Sequence, residues 1–130
     1  MKTLLLEGEV FSGKGEGTEF IKLPWVRKQI KEKLGFTPYL GTLNIRLTER
    51  SVILKNLLKN TQGIEITPAE GFHRGVCFKA YLMGLECAVV IPEVQDYPEN
   101  TLEVVAPTKL REHLKLKDGS IIEIKVLLKK

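Results

Sequence analysis

From Gly41 to Thr48 the chain alternates without a break. Leu43, Ile45 and Leu47 fall on one side of an extended backbone, and Thr42, Asn44, Arg46 and Thr48 on the other. That period suits a strand with one face on a core and the other on solvent, and it suits no amphipathic helix. Similar short runs recur along the chain. Thr3–Ser12 and Thr18–Leu23 read as strands joined through the glycine-rich GKGEG, which is a hairpin in the plainest reading, and residues 63–66 read as a short strand. Gly75–Ile91 reads as two strands turning at Met83-Gly84. LEVVAP at 102–107 is another, stopped by Pro107, and SIIEIKVLL follows the Asp118-Gly119 turn as the last. The clearest helix opens at Pro24, repeats Val26, Ile30 and Leu34 on one face, and ends at Gly35. Ser51–Lys59 reads as a short helix or an irregular connection, and TKLREHL at 108–114 as a brief helix. The expectation is a mainly β chain, a small barrel of six to seven strands with two or three short helices.

One domain is expected for 130 residues with no repeat, linker or low-complexity segment. The chain is 43% hydrophobic and 28% charged, which excludes intrinsic disorder. MKTLLLEGEV reaches Glu7 after three leucines, so neither a membrane span nor a signal peptide is expected. Cys77 and Cys87 lack the close pairing of a zinc site and suit a reducing, cytoplasmic setting without a disulfide. A net charge of +4 and a pI near 9.1 leave nucleic acid open, but the lysines are spread rather than massed.

Three places can carry chemistry. Gly13, Lys14, Gly15, Glu16, Gly17 and Thr18 form a loop whose amides can approach a phosphate, although its pattern is neither a P-loop nor a dinucleotide fingerprint. Taken alone it reads equally as a hairpin turn. Thr42 and Asn44 put a hydroxyl and an amide oxygen on one strand face, both hard ligands of the kind magnesium accepts when phosphates complete its shell; a solvated strand face is the plainer reading. Glu103 lies on the strand leading to Thr108, Lys109, Leu110 and Arg111, where a helix start and two cations suit an anion. His73 and His113 stand alone, Trp25 suits the core, and no serine has a nucleophile-elbow context.

Four segments together, GEVFSGKGEGTEFIKLP, LGFTPYLGTLNIRL, YPENTLEVVAP and KLREHLKLKDGS, resemble the archaeal CTP-dependent riboflavin kinases from Leu5 to Val126, with Gly-Thr-Leu-Asn at 41–44 as the most specific piece. The resemblance implies a cradle-loop β-barrel that moves the γ-phosphate of CTP to the 5′-hydroxyl of riboflavin, giving FMN and CDP with Mg2+. By the same resemblance Gly13–Thr18 wrap the triphosphate, Thr42 and Asn44 hold magnesium, and Thr108–Arg111 bind the nucleotide. Glu103 meets the flavin side, as catalytic base or as a binding group. Gln95 stands where the family usually has a flavin-contacting threonine, in a Thr-x-Tyr-Pro segment written here Gln95-Asp96-Tyr97-Pro98. Many members carry a winged-helix domain ahead of this unit; here the first residues are expected to enter the barrel directly. A cytoplasmic monomer binding neither nucleic acid nor membrane is the resulting expectation. The rival is a small swapped-hairpin DNA-binding regulator, whose LKDGS-like turn matches residues 116–120, although the chain has no basic stripe and few aromatics for stacking bases.

Overall fold

A computed structural model describes residues 2–13 and 16–128. Seven strands are present among them: β1 (Lys2–Phe11), β2 (Leu43–Leu47), β3 (Ile64–Ile66), β4 (Gly75–Leu82), β5 (Leu85–Pro92), β6 (Thr101–Val105) and β7 (Ile121–Leu128). Four helices accompany them: α1 (Glu16–Lys22), α2 (Pro24–Leu34), α3 (Glu49–Lys55), which runs into a 3-10 turn at Asn56–Asn60, and α4 (Leu110–His113). The sheet runs β3-β4-β5-β6-β2-β1-β7, and a further β4–β7 pairing closes six of its strands into a barrel with β3 left outside. Every barrel pairing is antiparallel. Closure pairs the edges of those six strands that would otherwise invite association, leaving β3 as an edge strand.

The barrel and the alternation of β2 are as the sequence implies: Leu43, Ile45 and Leu47 are buried and Arg46 is exposed. The β4–β5 hairpin turns at Met83-Gly84, both with positive φ, setting Leu82 opposite Leu85 and Ala80 opposite Cys87. α2 starts at Pro24 and stops at Gly35, whose φ of 87° takes the left-handed cap. One expected element is overturned. Thr18–Leu23 is no strand; it belongs to α1 and the bend behind it. β1 has no edge left for a hairpin partner, because β7 pairs with Lys2–Glu9 on one side and β2 with Gly8–Phe11 on the other. The remaining edge at Val10 is taken by the turn before β7, through Val10 N–H to Ser120 O and Gly119 N–H to Val10 O. Of the expected GKGEG turn, Lys14 and Gly15 lie outside the described residues, and Glu16 and Gly17 are already helical.

Alternation divides the buried side chains into two layers. Leu6, Val10, Ile45, Leu102, Val104 and Ile124 point into the barrel. Ile21 of α1 and Val26, Ile30 and Leu34 of α2 instead pack with Ile66, Cys77, Ala88, Val90 and Val105 on its outer wall. The polar residues of interest lie on that outer wall, beside the place where α1 meets it.

Cys77 and Cys87 are free and fully buried, and burial pushes both thiols up to about 12. Neither should react with a thiol alkylating agent in the folded protein, and both should react in denaturant. Intact mass under the two conditions checks this; labelling in native buffer would contradict the packing of the outer layer at Cys77 or of the barrel interior at Cys87.

Candidate active site

Backbone register brings the site together. Across the barrel wall Phe11 pairs with Asn44, Asn44 with Glu103, and Glu103 with Val90, so one row crosses β1, β2, β6 and β5. Paired residues on neighbouring strands point to the same face, which puts Asn44 and Glu103 side by side on the outer wall. Glu103 is 2% exposed and is the one buried carboxylate among the described residues. Its oxygens are both satisfied: the Thr42 hydroxyl donates to Oε1 at 2.6 Å and the Tyr97 hydroxyl to Oε2 at 2.5 Å. These are the short, charge-assisted contacts that let a carboxylate be buried.

α1 closes over this group. A Cβ on Gly17 would overlap Glu103 Oε1, so the helix seats against the carboxylate only because residue 17 is glycine. One residue on, Thr18 Oγ1 accepts from the Thr42 N–H at 3.2 Å and lies 3.5 Å from Thr42 Oγ1. The Thr42 proton is committed to Glu103, so Thr18 is the donor in that last contact. One lone pair of Thr42 Oγ1 is left to turn outward. Gly13, two residues beyond β1, is also close-packed: a Cβ there would stand 2.6 Å from Asn44 Oδ1.

Two cavities meet at this row. One, of about 500 Å3, is lined by Thr18, Tyr39–Asn44, Val104, Ala106 and Thr108–Arg111, together with Phe11, Ser12 and Gly13. The other, of about 380 Å3, is lined by Glu103, Tyr97, Pro98, Asn100, Thr101 and Arg46, again with Phe11, Ser12, Gly13 and Asn44. Their common wall is Phe11–Gly13 and Asn44. At the mouth of the first, Arg111 donates to Asp118 at 2.6 Å, with Ser12 hydrogen-bonded to the same carboxylate. The Arg111 hydrogen bond, and next that of Ser12, hold the Asp118 carboxyl below its usual range. A larger cavity of about 780 Å3 lies between the 3-10 turn and β4–β5 and touches the others through Tyr97 alone. It takes none of the residues singled out in the sequence.

The residues singled out for chemistry therefore converge, with stated exceptions. Gly13, Gly17, Thr18, Thr42, Asn44, Glu103 and Thr108–Arg111 gather around the two smaller cavities. Glu16 contributes the first residue of α1. Gln95 is exposed in the loop after β5 and lines neither cavity. Sequence reasoning missed Tyr97 as a partner of Glu103 and missed the Ser12–Asp118–Arg111 cluster, whose members are up to 106 residues apart. Only the turn signal at Asp118-Gly119 pointed toward the latter.

The donor set fits magnesium of the kind that keeps phosphate and water ligands. Thr42 Oγ1 and Asn44 Oδ1 are hard, neutral oxygens, and no group of three His, Cys, Asp or Glu side chains suited to a metal occurs among the described residues. Such a pair holds the ion weakly without phosphate.

A family model named for CTP-dependent RFKase and described as domain of unknown function DUF120 matches residues 10–126. This chain belongs to the CTP-dependent riboflavin kinase family. It is 44% identical over 130 residues to a riboflavin kinase of Archaeoglobus fulgidus, covering 97% of this chain and 56% of the relative. To one of Methanosarcina barkeri it is 45% identical, covering 95% and 56%, and to one of Pyrobaculum aerophilum 44% identical, covering 97% and 62%. The chain thus spans somewhat more than half the length of these relatives. The match to the riboflavin kinase family takes in the whole outer-wall row and both cavities.

Gly17→Ala should destabilise the fold by about 1–3 kcal/mol, because a methyl group there displaces either α1 or the Glu103 carboxylate. Denaturant unfolding measures it; parent-like stability would show that α1 is not seated on Glu103.

Proposed function

We propose that this chain is a riboflavin kinase that transfers the γ-phosphate of CTP to the 5′-hydroxyl of riboflavin, giving FMN and CDP. The observation that carries the reading is the shared wall: a cavity bearing cations and a cavity bearing a buried carboxylate adjoin at Gly13 and Asn44. A donor phosphate and an acceptor hydroxyl can meet there in line.

In this reading the first cavity takes the nucleotide, with the triphosphate along Gly13–Thr18 and the base toward Thr108, Lys109 and Leu110. Lys14 and Gly15 belong to that loop by family likeness and lie outside the described residues. Arg111, held by Asp118, presents a fixed positive charge at the cavity mouth. Thr42 and Asn44 would hold magnesium, which supplies charge neutralisation on the phosphates when bound. The second cavity takes the ribityl end of riboflavin, and Glu103, with lone pairs to spare beyond the two it gives to Thr42 and Tyr97, accepts the 5′-hydroxyl. As the bond from that oxygen to phosphorus forms and the bridge between the β- and γ-phosphates breaks, the hydroxyl proton is drawn toward Glu103. Phosphoryl transfer asks mainly for positioning and charge neutralisation, so Glu103 acts chiefly by binding and orienting the acceptor. Gln95, in the Gln95-Asp96-Tyr97-Pro98 segment, adds at most an outer contact to the flavin.

Among the described residues no helix is long and apolar enough to cross a membrane. A cytoplasmic monomer acting on free small molecules, without nucleic acid, completes the reading.

Asn44→Ala should leave the fold intact and lower turnover at limiting magnesium by at least about a hundredfold. Near-parent turnover would sink the magnesium assignment. CTP with magnesium should raise the melting temperature whereas duplex DNA should not; the reverse pattern would favour the DNA-binding alternative. Glu103→Gln should lower kcat modestly and raise KM for riboflavin. A collapse of kcat at unchanged KM would make Glu103 the catalytic base.

A further inference from the structure

We infer that Tyr97 is a positioning residue for the acceptor side of this site: its phenol fixes the Glu103 carboxylate in the one orientation that faces riboflavin's reacting hydroxyl. The inference rests on the reading of Glu103 given above and adds a residue to it.

Glu103 has two anchors of different character. Thr42 immediately precedes β2, whose pairing with β6 holds it beside Glu103, and its hydroxyl donates to Oε1. Tyr97 reaches Oε2 from a loop, and the loop is held in place for it. Asp96 adopts a φ of 63°, a left-handed conformation that aspartate tolerates, immediately before Tyr97. On the other side, the Thr101 N–H donates to Pro98 O at 3.2 Å and the Leu47 N–H to Asn100 O at 2.7 Å. Lys55, at the end of α3, donates to Glu99 O at 3.2 Å and Thr101 O at 2.9 Å, and its ammonium lies 5.8 Å from the centre of the Tyr97 ring. The Lys55 side chain is half-buried, and that desolvation lowers its pKa against the opposing pull of Glu99. A lysine spent on two carbonyls in such a place organises the turn that carries Tyr97.

Two consequences follow for the chemistry. A carboxylate held at both oxygens does not rotate about its last torsion, so the lone pair offered to the acceptor keeps one direction. With the phenol gone, Oε2 loses its only hydroxyl donor among the described contacts, and the group is free to turn toward water or Asn44. Tyr97 thereby acts through Glu103 and not on the phosphate donor.

The experiment is a double-mutant cycle on steady-state kinetics with riboflavin and CTP, using Tyr97→Phe, Glu103→Gln and the pair, with melting curves for each. In Tyr97→Phe, kcat/KM for riboflavin should fall about ten- to hundredfold, the loss expected for one hydrogen bond to a charged group, while KM for CTP stays within about twofold of the parent. In the Glu103→Gln background, Tyr97→Phe should cost less than about threefold further. Full additivity, or an equal loss toward CTP and riboflavin with a lowered melting temperature, would overturn the inference and make Tyr97 an independent or merely structural contact. An active parent with a parent-like Tyr97→Phe overturns the inference and leaves the kinase reading standing; a parent that makes no FMN overturns the kinase reading itself.

Discussion

A carboxylate taken out of water must be given donors, and the arrangement around Glu103 is organised by that demand. Thr42 and Tyr97 supply the hydroxyls, from just ahead of β2 and from the loop ahead of β6. The absence of a side chain at Gly17 lets α1 shut the third side. Each of these is possible only because β6 pairs with β2 in the register that sets Glu103 beside Asn44. A one-residue slip would send Glu103 into the apolar barrel and Val104 out beneath α1. Fold specificity and site geometry thus share one constraint.

The same demand orders the neighbouring hydroxyls. With the Thr42 proton given to Glu103, Thr18 donates to Thr42, which leaves the Thr42 oxygen an acceptor lining the same cavity as Asn44. In the proposed reading, neutral oxygens lining a cavity of about 500 Å3, with Arg111 paired to Asp118, would gain their affinity for a divalent ion from the nucleotide's own charge. A deep cluster of acids would hold the ion permanently. Here the ion and the triphosphate would enter and leave together.

The barrel was legible because its strands are short, alternating and punctuated by turns that demand positive φ, as at Met83-Gly84 and Gly119. α1 was not. Thr18, Phe20 and Ile21 have the composition of a strand, and only the occupancy of both edges of β1 forces them into a helix. Local propensity carries no record of that. Glu103, Thr42 and Asn44 stood out by residue type and spacing, and by family likeness. Tyr97 could not be assigned, since its role depends on how its own loop returns to β6 and meets Glu103 six residues on. Ser12 and Asp118 meet only through the β1–β7 pairing, which sets the end of β1 beside the turn into β7.

Direct phosphoryl transfer is the central claim, and one measurement reaches it. Purified protein is incubated with riboflavin, magnesium and each of the four nucleoside triphosphates in turn, and FMN is quantified by chromatography with fluorescence detection. The account predicts FMN formation with CTP, in one-to-one correspondence with CDP, and far slower formation with the other three. No FMN with any of the four would contradict it, however well the protein bound nucleotide.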